Sequence, residues 1–197
     1  MIEDIADTEP LAPFERWLAL AMESEELAET MMLATATTAG MPSVRAVLLK
    51  AVDSRGFVFY TNLESRKASE LFVNPHAALS FHWKSLARQV RVEGVAEQVS
   101  EDEADAYFAS RPRGSQIAAW ASDQSRFLES REQLERRVDS FTRRFEDRST
   151  ILRPNFWSGF RVVPDRVEFW QDQPSRLHDR LVFIRYNGMW RRERLFP

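Results

Sequence analysis

MMLATATTAGMPSVRAVLLKAVDSRGFVFYTN, Met31 to Asn62, decides the fold class. MMLATATT has the apolar character of a strand, and AGMP, with Gly40 and Pro42, punctuates it as a turn. SVRAVLLKAV then predicts a second strand over 43–52, DSRG ends it, and FVFYTN predicts a third. Strands that come as neighbours, without a helix between each pair, favour an antiparallel sheet or barrel over a doubly wound fold.

The flanking sequence extends this pattern. PFERWLALAM puts Phe14, Trp17, Leu18 and Ala21 on one face of a helix. SRKASELF predicts a short helix that stops at Asn74, because Pro75 disfavours helical backbone in the residue before it. AALSFHW and RQVRVEGVAEQV follow as strands. Ser100 and Glu103 form a capping box that opens a helix running to about Ser110. Leu134, Val138, Phe141 and Phe145 make the apolar stripe of an amphipathic helix with a heavily charged outer face. GFRVV, RVEFWQ, LVFIRY and MWRRERLF read as further strands, with Asn187–Gly188 as a hairpin turn. No internal repeat or linker interrupts the chain.

A chain of 197 residues suits one domain, 1–197, with residues 1–12 expected as a flexible tail. At that length roughly 70% of the unfolded surface is buried, enough for an independent core. The six Trp and fourteen Phe can thicken that core, form an interface or stack on a flat ligand. The absence of cysteine excludes disulfides, thiolate catalysis and Cys-based zinc sites. With neither a secretory start nor a membrane-length apolar run, a cytoplasmic protein is the expectation. A net charge of −3 argues against broad nucleic-acid binding.

The six glycines are too dispersed for a dinucleotide fingerprint or a P-loop. His76, His82 and His178 are too scattered for a zinc-binding HExxH, so no metal is expected. What remains are cations in strand or turn sequence: Arg45 and Lys50 bounding RAVLLK, Arg66 and Lys67, and Arg88 and Arg91 around Gln89. Each pair alone is ordinary for a strand end; together they suit a phosphate site, where cations and amide donors converge on a dianion. Arg45 and Lys50 are five apart, so a regular strand points them to opposite faces; either a bulge intervenes or they serve different parts of a site. Tyr107, Arg111 and Ser115 are spaced by four, but Pro112 turns Arg111 away from helix, which places the three at a helix end and the turn after it. That set supplies donors for a second phosphate, or a helix terminus with a compensating Arg. SRLHDR, Ser175 to Arg180, packs two arginines, an aspartate and a histidine between apolar strands, a composition that points to an anion site.

Taken together, RAVLLK, FYTNLESRKASEL, RQVRVEG, YFASRPRGSQIAAWASDQS, WSGFRVVPDRVEFWQ, RLHDR and the terminal RLFP resemble the pyridoxamine (pyridoxine) 5′-phosphate oxidase family. The matching stretches run in the family's order from about Phe14 to Pro197. The resemblance implies an α+β, mainly β fold: an FMN-binding split β-barrel with peripheral helices. It implies a homodimer with FMN at the subunit interface. Carried over by motif, Arg45, Ala46, Val47, Leu48, Leu49, Lys50, Tyr60, Thr61, Arg66 and Lys67 would contact FMN, the cations mainly at its phosphate. Gln89, Gln124, Ser125, Trp170 and Arg180 would complete the flavin site. The phosphate of the substrate, a phosphorylated B6 vitamer, would fall to Lys50, Tyr107, Arg111 and Ser115. Arg176, Leu177 and His178 would lie over its ring, with Arg176 and His178 as the catalytic candidates.

The implied reaction oxidises the exocyclic 4′ carbon to give pyridoxal 5′-phosphate, with oxygen as acceptor and hydrogen peroxide, plus ammonia from the amine, as by-products. The family's N-terminal Arg-x-x-Tyr-like segment has no match here, so closure by that lid is not implied. Ser158, Ala118 and Asp172 stand where the family commonly has glycine, departures expected to alter local geometry more than chemistry. A related flavin oxidase for another heterocycle, of the phenazine-pathway type, also fits the scaffold, although a substrate without phosphate has no use for Lys50, Tyr107, Arg111 and Ser115. A non-catalytic flavin- or haem-binding module is the other alternative.

Overall fold

The computed structural model of the protein describes Ile2 and residues 5–197. Its elements in chain order are α1 (Leu11–Met22), β1 (Thr30–Ala36), β2 (Pro42–Leu48), β3 (Ala51–Asp53), β4 (Gly56–Asn62) and α2 (Arg66–Val73). Then come β5 (His76–Trp83), β6 (Arg88–Gln98), α3 (Glu101–Ser110), α4 (Arg113–Ala121), α5 (Arg131–Arg144), β7 (Trp157–Gln171), β8 (Asp179–Tyr186) and β9 (Met189–Arg194). The strands form a nine-stranded sheet in the order β2-β1-β5-β6-β7-β4-β3, with β8 pairing β7 and β9. Every pairing is antiparallel, as the runs of neighbouring strands predict.

The expected strand over 43–52 is two strands, and the break sets the architecture. β2 and β3 stand at opposite ends of the strand order, yet only Leu49 and Lys50 separate them. Three residue steps span at most about 11 Å, so the sheet must curl until its ends meet. The backbone marks the crossing: Leu49 N–H donates to Glu29 O at 2.9 Å, beside β1, and Lys50 N–H to Val58 O at 2.8 Å, on β4. This break also disposes of the opposite-face problem for Arg45 and Lys50, which are not on one regular strand.

GFRVV and RVEFWQ likewise merge, into the 15-residue β7. Its first half pairs β4, from Trp157 to Val162, and its second half pairs β8, from Arg166 to Gln171. Between them Pro164 cannot donate to a ladder, and the register with β6 shifts at Glu93–Gly94. β7 therefore bends and carries one stretch of chain past two different partners.

The core inside the curl is aromatic. Phe14 of α1 meets Phe57 and Phe81 edge-on at centroid distances of 4.9 and 5.0 Å, and Trp17 meets Phe169 at 5.1 Å. Trp83 donates its indole N–H to Ala28 O at 2.8 Å, which satisfies its polar atom inside the core. A second cluster joins α3, α4 and α5 through Phe108, Ile117, Phe145 and Trp157, with Val138 and Phe141 of the predicted stripe packed against it. The buried Arg161 ties β7 to Asp53 at 2.9 Å and to Glu103 of α3 at 2.6 Å.

The tail expected over 1–12 is corrected for its described part. Ile2 and Ile5 are 2% and 6% exposed and belong to the main core, Asp7 pairs with Arg16, and α1 begins at Leu11. Apolar side chains at 2 and 5 have core surface to cover. Met1, Glu3 and Asp4 lie outside the described residues. Helix α4 was not expected; nine residues with Gly114 in the first turn carry a weak helical signal. Among the described residues no helix is long and apolar enough to cross a membrane, and no cluster of metal-ligating side chains forms.

Candidate functional site

A cavity of about 740 Å³ opens between β2, β4, α2 and the α3–α4 junction. β2 contributes Arg45, Ala46, Val47 and Leu48, and Lys50 enters from the crossing to β3. β4 contributes Tyr60, Thr61 and Asn62, and the first turn of α2 contributes Arg66 and Lys67. Tyr107, Arg111, Gln124, Ser125 and Trp157 complete the other wall. Of the expected ligand residues on these elements, Leu49 and Ser115 do not line it. Leu49 is buried in the core, and Ser115 sits in the first turn of α4 rather than in a turn after α3.

One end of the cavity is an anion seat. Lys67 is 8% exposed, and its Nζ donates to Thr61 Oγ1 at 3.0 Å, Gln124 Oε1 at 3.0 Å and Ser65 Oγ at 3.3 Å. All three acceptors are neutral. Burial, and after it the positive charge of Arg45, lowers the Lys67 pKa to about 8. Arg45 is itself held by Leu33 O, Thr35, Ser43 and Glu70. Glu70 is the counter-charge: burial opposes its ionisation, but hydrogen bonds from Ser43, Thr35 and Arg66 outweigh that and lower its pKa to about 2. One carboxylate facing Arg45 and Arg66, with Lys67 beside them, leaves the seat positive.

The other end is aromatic and holds a second cation. Tyr60 and Tyr107 stack at 3.9 Å with an interplanar angle of 14°, and Trp157 lies 5.3 Å beyond Tyr60, tilted by 6°. Gly159 makes this possible, since a Cβ there would sit 2.7 Å from Tyr60 Cδ1 and 2.9 Å from Phe59 O. Gly159→Ala is expected to cost about 1–3 kcal/mol by overpacking and to displace the Tyr60 ring; thermal denaturation and near-UV circular dichroism would register both. The Arg111 guanidinium lies 4.8 Å over the Trp157 ring. Its Nη1 is buried with no hydrogen-bond partner, and burial lowers its pKa. A buried unpartnered guanidinium nitrogen is costly, and an anionic ligand relieves that cost.

The remaining candidates form a second group that does not line this cavity. Gln89, Trp170 and Arg180 stand side by side in register across β6, β7 and β8. Arg176, Leu177 and His178 occupy the β7–β8 connection, where the His178 ring lies 4.6 Å from that of Trp170. Arg180 is fixed by Glu168 Oε1 at 2.8 Å through Nε and by Phe196 O at 2.8 Å through Nη1. Glu168, 2% exposed, also receives Arg91 and Arg166. Asp179 meets Gln173 and Arg194, while Glu168 orients Arg180.

Sequence reasoning passed over Glu70, Glu168, Asn62 and Trp157. Glu70 has a signal, its i,i+4 spacing from Arg66, and Glu168 is a carboxylate inside the apolar run RVEFWQ, where a charge needs partners.

The comparisons agree along the whole chain. A family model described as pyridoxamine 5′-phosphate oxidase matches residues 21–144, and one described as the pyridoxine 5′-phosphate oxidase C-terminal dimerisation region matches 157–197. The chain is 55% identical over 198 residues to a pyridoxine/pyridoxamine 5′-phosphate oxidase of Rubrobacter xylanophilus, covering 100% of this chain and 91% of that one. It is 54% identical to the enzyme of the same name from Rhodospirillum rubrum, covering 100% of both. Among solved structures, PhzG from Burkholderia lata in complex with tetrahydrophenazine-1-carboxylic acid superposes with a TM-score of 0.92 at 31% identity, covering 98% of this chain and 95% of that one. An FMN-binding protein from Nostoc punctiforme shares the fold at a TM-score of 0.77 and 16% identity, covering 97% of this chain and 100% of that one. With a family model spanning more than half the chain and full-length relatives above half identity, the chain belongs to the pyridoxamine 5′-phosphate oxidase family.

Proposed function

We propose that this chain is an FMN-dependent oxidase that converts pyridoxine 5′-phosphate or pyridoxamine 5′-phosphate to pyridoxal 5′-phosphate with oxygen as acceptor. The observation that carries it is the pair of anion seats in one cavity: Arg66 and Lys67 at one end, Arg111 with its unpartnered Nη1 at the other. A phosphorylated cofactor and a phosphorylated substrate need two such seats, and the cavity has the volume for flat rings.

Arg45, Arg66 and Lys67 would hold the phosphate of FMN, with Thr61, Gln124 and Ser125 beside it. The chemistry FMN supplies when bound is hydride acceptance followed by electron transfer to oxygen, which yields hydrogen peroxide. Arg111, Lys50 and Tyr107 would hold the substrate phosphate, and the chain's own contribution is mainly positioning. Ser115, outside the cavity wall, would reach that phosphate only through the first turn of α4.

Gln89, Trp170, Arg176, His178 and Arg180 lie outside the cavity of their own chain, which supports a homodimer in which this group faces the partner's cavity. The dimerisation region matched at 157–197 contains all of them except Gln89. Exposed Met32, Val44 and Leu48 on β1 and β2, 42%, 63% and 37% exposed, give an apolar surface for a partner beside the cavity. In that arrangement Arg176 and His178 would lie over the substrate ring as the catalytic candidates.

The Lys67 ammonium predicts the pH dependence of cofactor binding. A phosphate dianion keeps Lys67 protonated, so above pH about 8 binding takes up a proton. FMN Kd is expected to be flat from neutrality to pH 8 and then to rise by up to tenfold per pH unit. Fluorescence titration of apoprotein with FMN measures this, and a flat profile to pH 9.5 would remove Lys67 from the phosphate seat.

The likeness to PhzG favours one second reading, since a ring carboxylate also suits Arg111. Peroxide production by FMN-loaded protein on a panel of substrates separates the two. Activity with pyridoxine and pyridoxamine phosphates, and little with their dephosphorylated forms or with reduced phenazine carboxylates, is expected. The opposite ranking overturns the proposal.

A further inference from the structure

A carboxylate beside a phosphate seat repels the ligand that the seat attracts, and Glu70 is such a group. It is 5% exposed, and its pKa of about 2 keeps it ionised around neutral pH. Helix α2 is unusual in a second way. It opens on Arg66 and Lys67 with no acidic residue in its first turn, the reverse of what a helix dipole favours.

The two oxygens of Glu70 face different parts of the fold. Oε2 accepts from Thr35 on β1 and from Ser43 and Arg45 on β2, which fixes the carboxylate against the sheet. Oε1 is left for α2 and accepts from Arg66 Nε at 2.8 Å. Among the described residues nothing else binds the Arg66 guanidinium, so Nη1 and Nη2 have no protein partner. Arg66 lines the cavity, and its side chain is 64% exposed.

The other two cations of the seat are already engaged. The three hydrogens of the Lys67 ammonium go to Thr61, Gln124 and Ser65. Arg45 directs Nη1 to Leu33 O and Thr35, and Nη2 to Ser43 and Glu70. In the seat as it stands, Arg66 carries the Nη groups that are free to meet an anion.

We propose that Glu70 is a positioning residue: it anchors Arg66 through Nε so that both Nη groups are presented to the phosphate of the cofactor, and this anchoring outweighs the repulsion between its own charge and that phosphate. The proposal rests on the reading that this seat holds the FMN phosphate, and it adds how the chain aims the arginine that meets it. An arginine side chain has large rotamer freedom, which a ligand must otherwise remove on binding. Glu70, locked by three donors, removes much of it beforehand.

Glu70→Gln separates the anchor from the charge. An amide has one acceptor oxygen and one NH2. Three donors surround the Oε2 position, and Arg45 among them can only donate, so the amide oxygen takes that place. The NH2 then faces Arg66 Nε, donor against donor, and the anchor is lost. The negative charge is lost as well, so the two roles predict opposite signs: a mere counter-charge tightens phosphate binding when removed, and an anchor weakens it.

Fluorescence titration of the full-length apoprotein with FMN tests this in wild type, Glu70→Gln, Arg66→Gln and the double variant. FMN Kd is expected to rise about three- to tenfold in Glu70→Gln. In the Arg66→Gln background the same change should leave Kd unchanged or lower it, because no guanidinium remains to be aimed. A Kd in Glu70→Gln equal to or below that of wild type overturns the proposal, and so does a rise that persists undiminished in Arg66→Gln, which marks a structural role. Should Glu70→Gln fail to fold, Arg66→Lys reads the same claim, since it keeps the charge and removes the fork; an unchanged Kd there overturns it. Wild-type protein that binds no FMN overturns the functional reading and the proposal together, whereas the other outcomes overturn the proposal alone.

Discussion

Arg111→Ala is expected to weaken binding of the phosphorylated substrate about ten- to a hundredfold while FMN binding stays unchanged. Arg111 sits where α3 ends and α4 begins, in extended backbone because Pro112 follows it. That position swings its guanidinium over Trp157 and leaves Nη1 buried without a partner. A charged hydrogen bond to phosphate is worth roughly 1.5–3 kcal/mol, which converts to the stated range. The variant also removes an uncompensated half-buried cation, so its Tm should not fall. Steady-state KM, FMN titration and thermal denaturation read the three expectations separately. Unchanged substrate affinity would take Arg111 out of the phosphate seat.

Lys67→Met should have opposite effects on stability and on cofactor binding. In the folded apoprotein the ammonium is buried among neutral oxygens and its pKa stands at about 8 against an ordinary value of 10.5. A lysine depressed in the folded state destabilises at pH below 8, where both folded and unfolded chains are protonated. That penalty fades as pH rises from 8 towards 10.5. From the shift its size at neutral pH is about 3 kcal/mol. Methionine fills similar volume without charge, and Thr61 can still donate to Gln124 at 3.0 Å. The apoprotein should therefore melt higher than wild type at pH 7, while FMN Kd rises at least tenfold. Scanning calorimetry of apoprotein and FMN titration test the two halves. A variant that melts lower and binds FMN normally would mean that Lys67 is structural.

Much of this fold was legible in local pattern. The strand alternation, the Ser100 cap that accepts from Glu103 N–H, the α5 stripe, and the Asn187–Gly188 turn with its positive φ values of 48° and 80° all follow from neighbouring residues. What was not legible depends on distant ones. The crossing at Leu49–Lys50 looks like uninterrupted strand because no Gly, Pro, Asn or Asp marks it; the bonds to Glu29 and Val58 break it. β7 runs through Pro164 because the missing N–H falls at a bulge opposite Gly94, a register that local sequence does not encode.

The site follows the same division. The residue types that suit phosphate were visible at Arg45, Arg66, Lys67 and Arg111, but their convergence in one cavity was not, since β2, α2 and the α3–α4 junction, three separate parts of the fold, bring them together. The separation of Gln89, Trp170 and Arg180 from that cavity is a property of sheet register. Resemblance to the family named these residues as one site; the single chain holds them as two groups.

Mixing FMN-loaded protein with pyridoxine phosphate without oxygen, while visible absorbance is followed, tests the oxidase assignment at its chemistry. The flavin absorbance is expected to be lost on mixing and to return when oxygen is admitted, with one pyridoxal phosphate formed for each FMN in that single turnover. Absorbance unchanged by either phosphorylated vitamer, with FMN still bound, would contradict it.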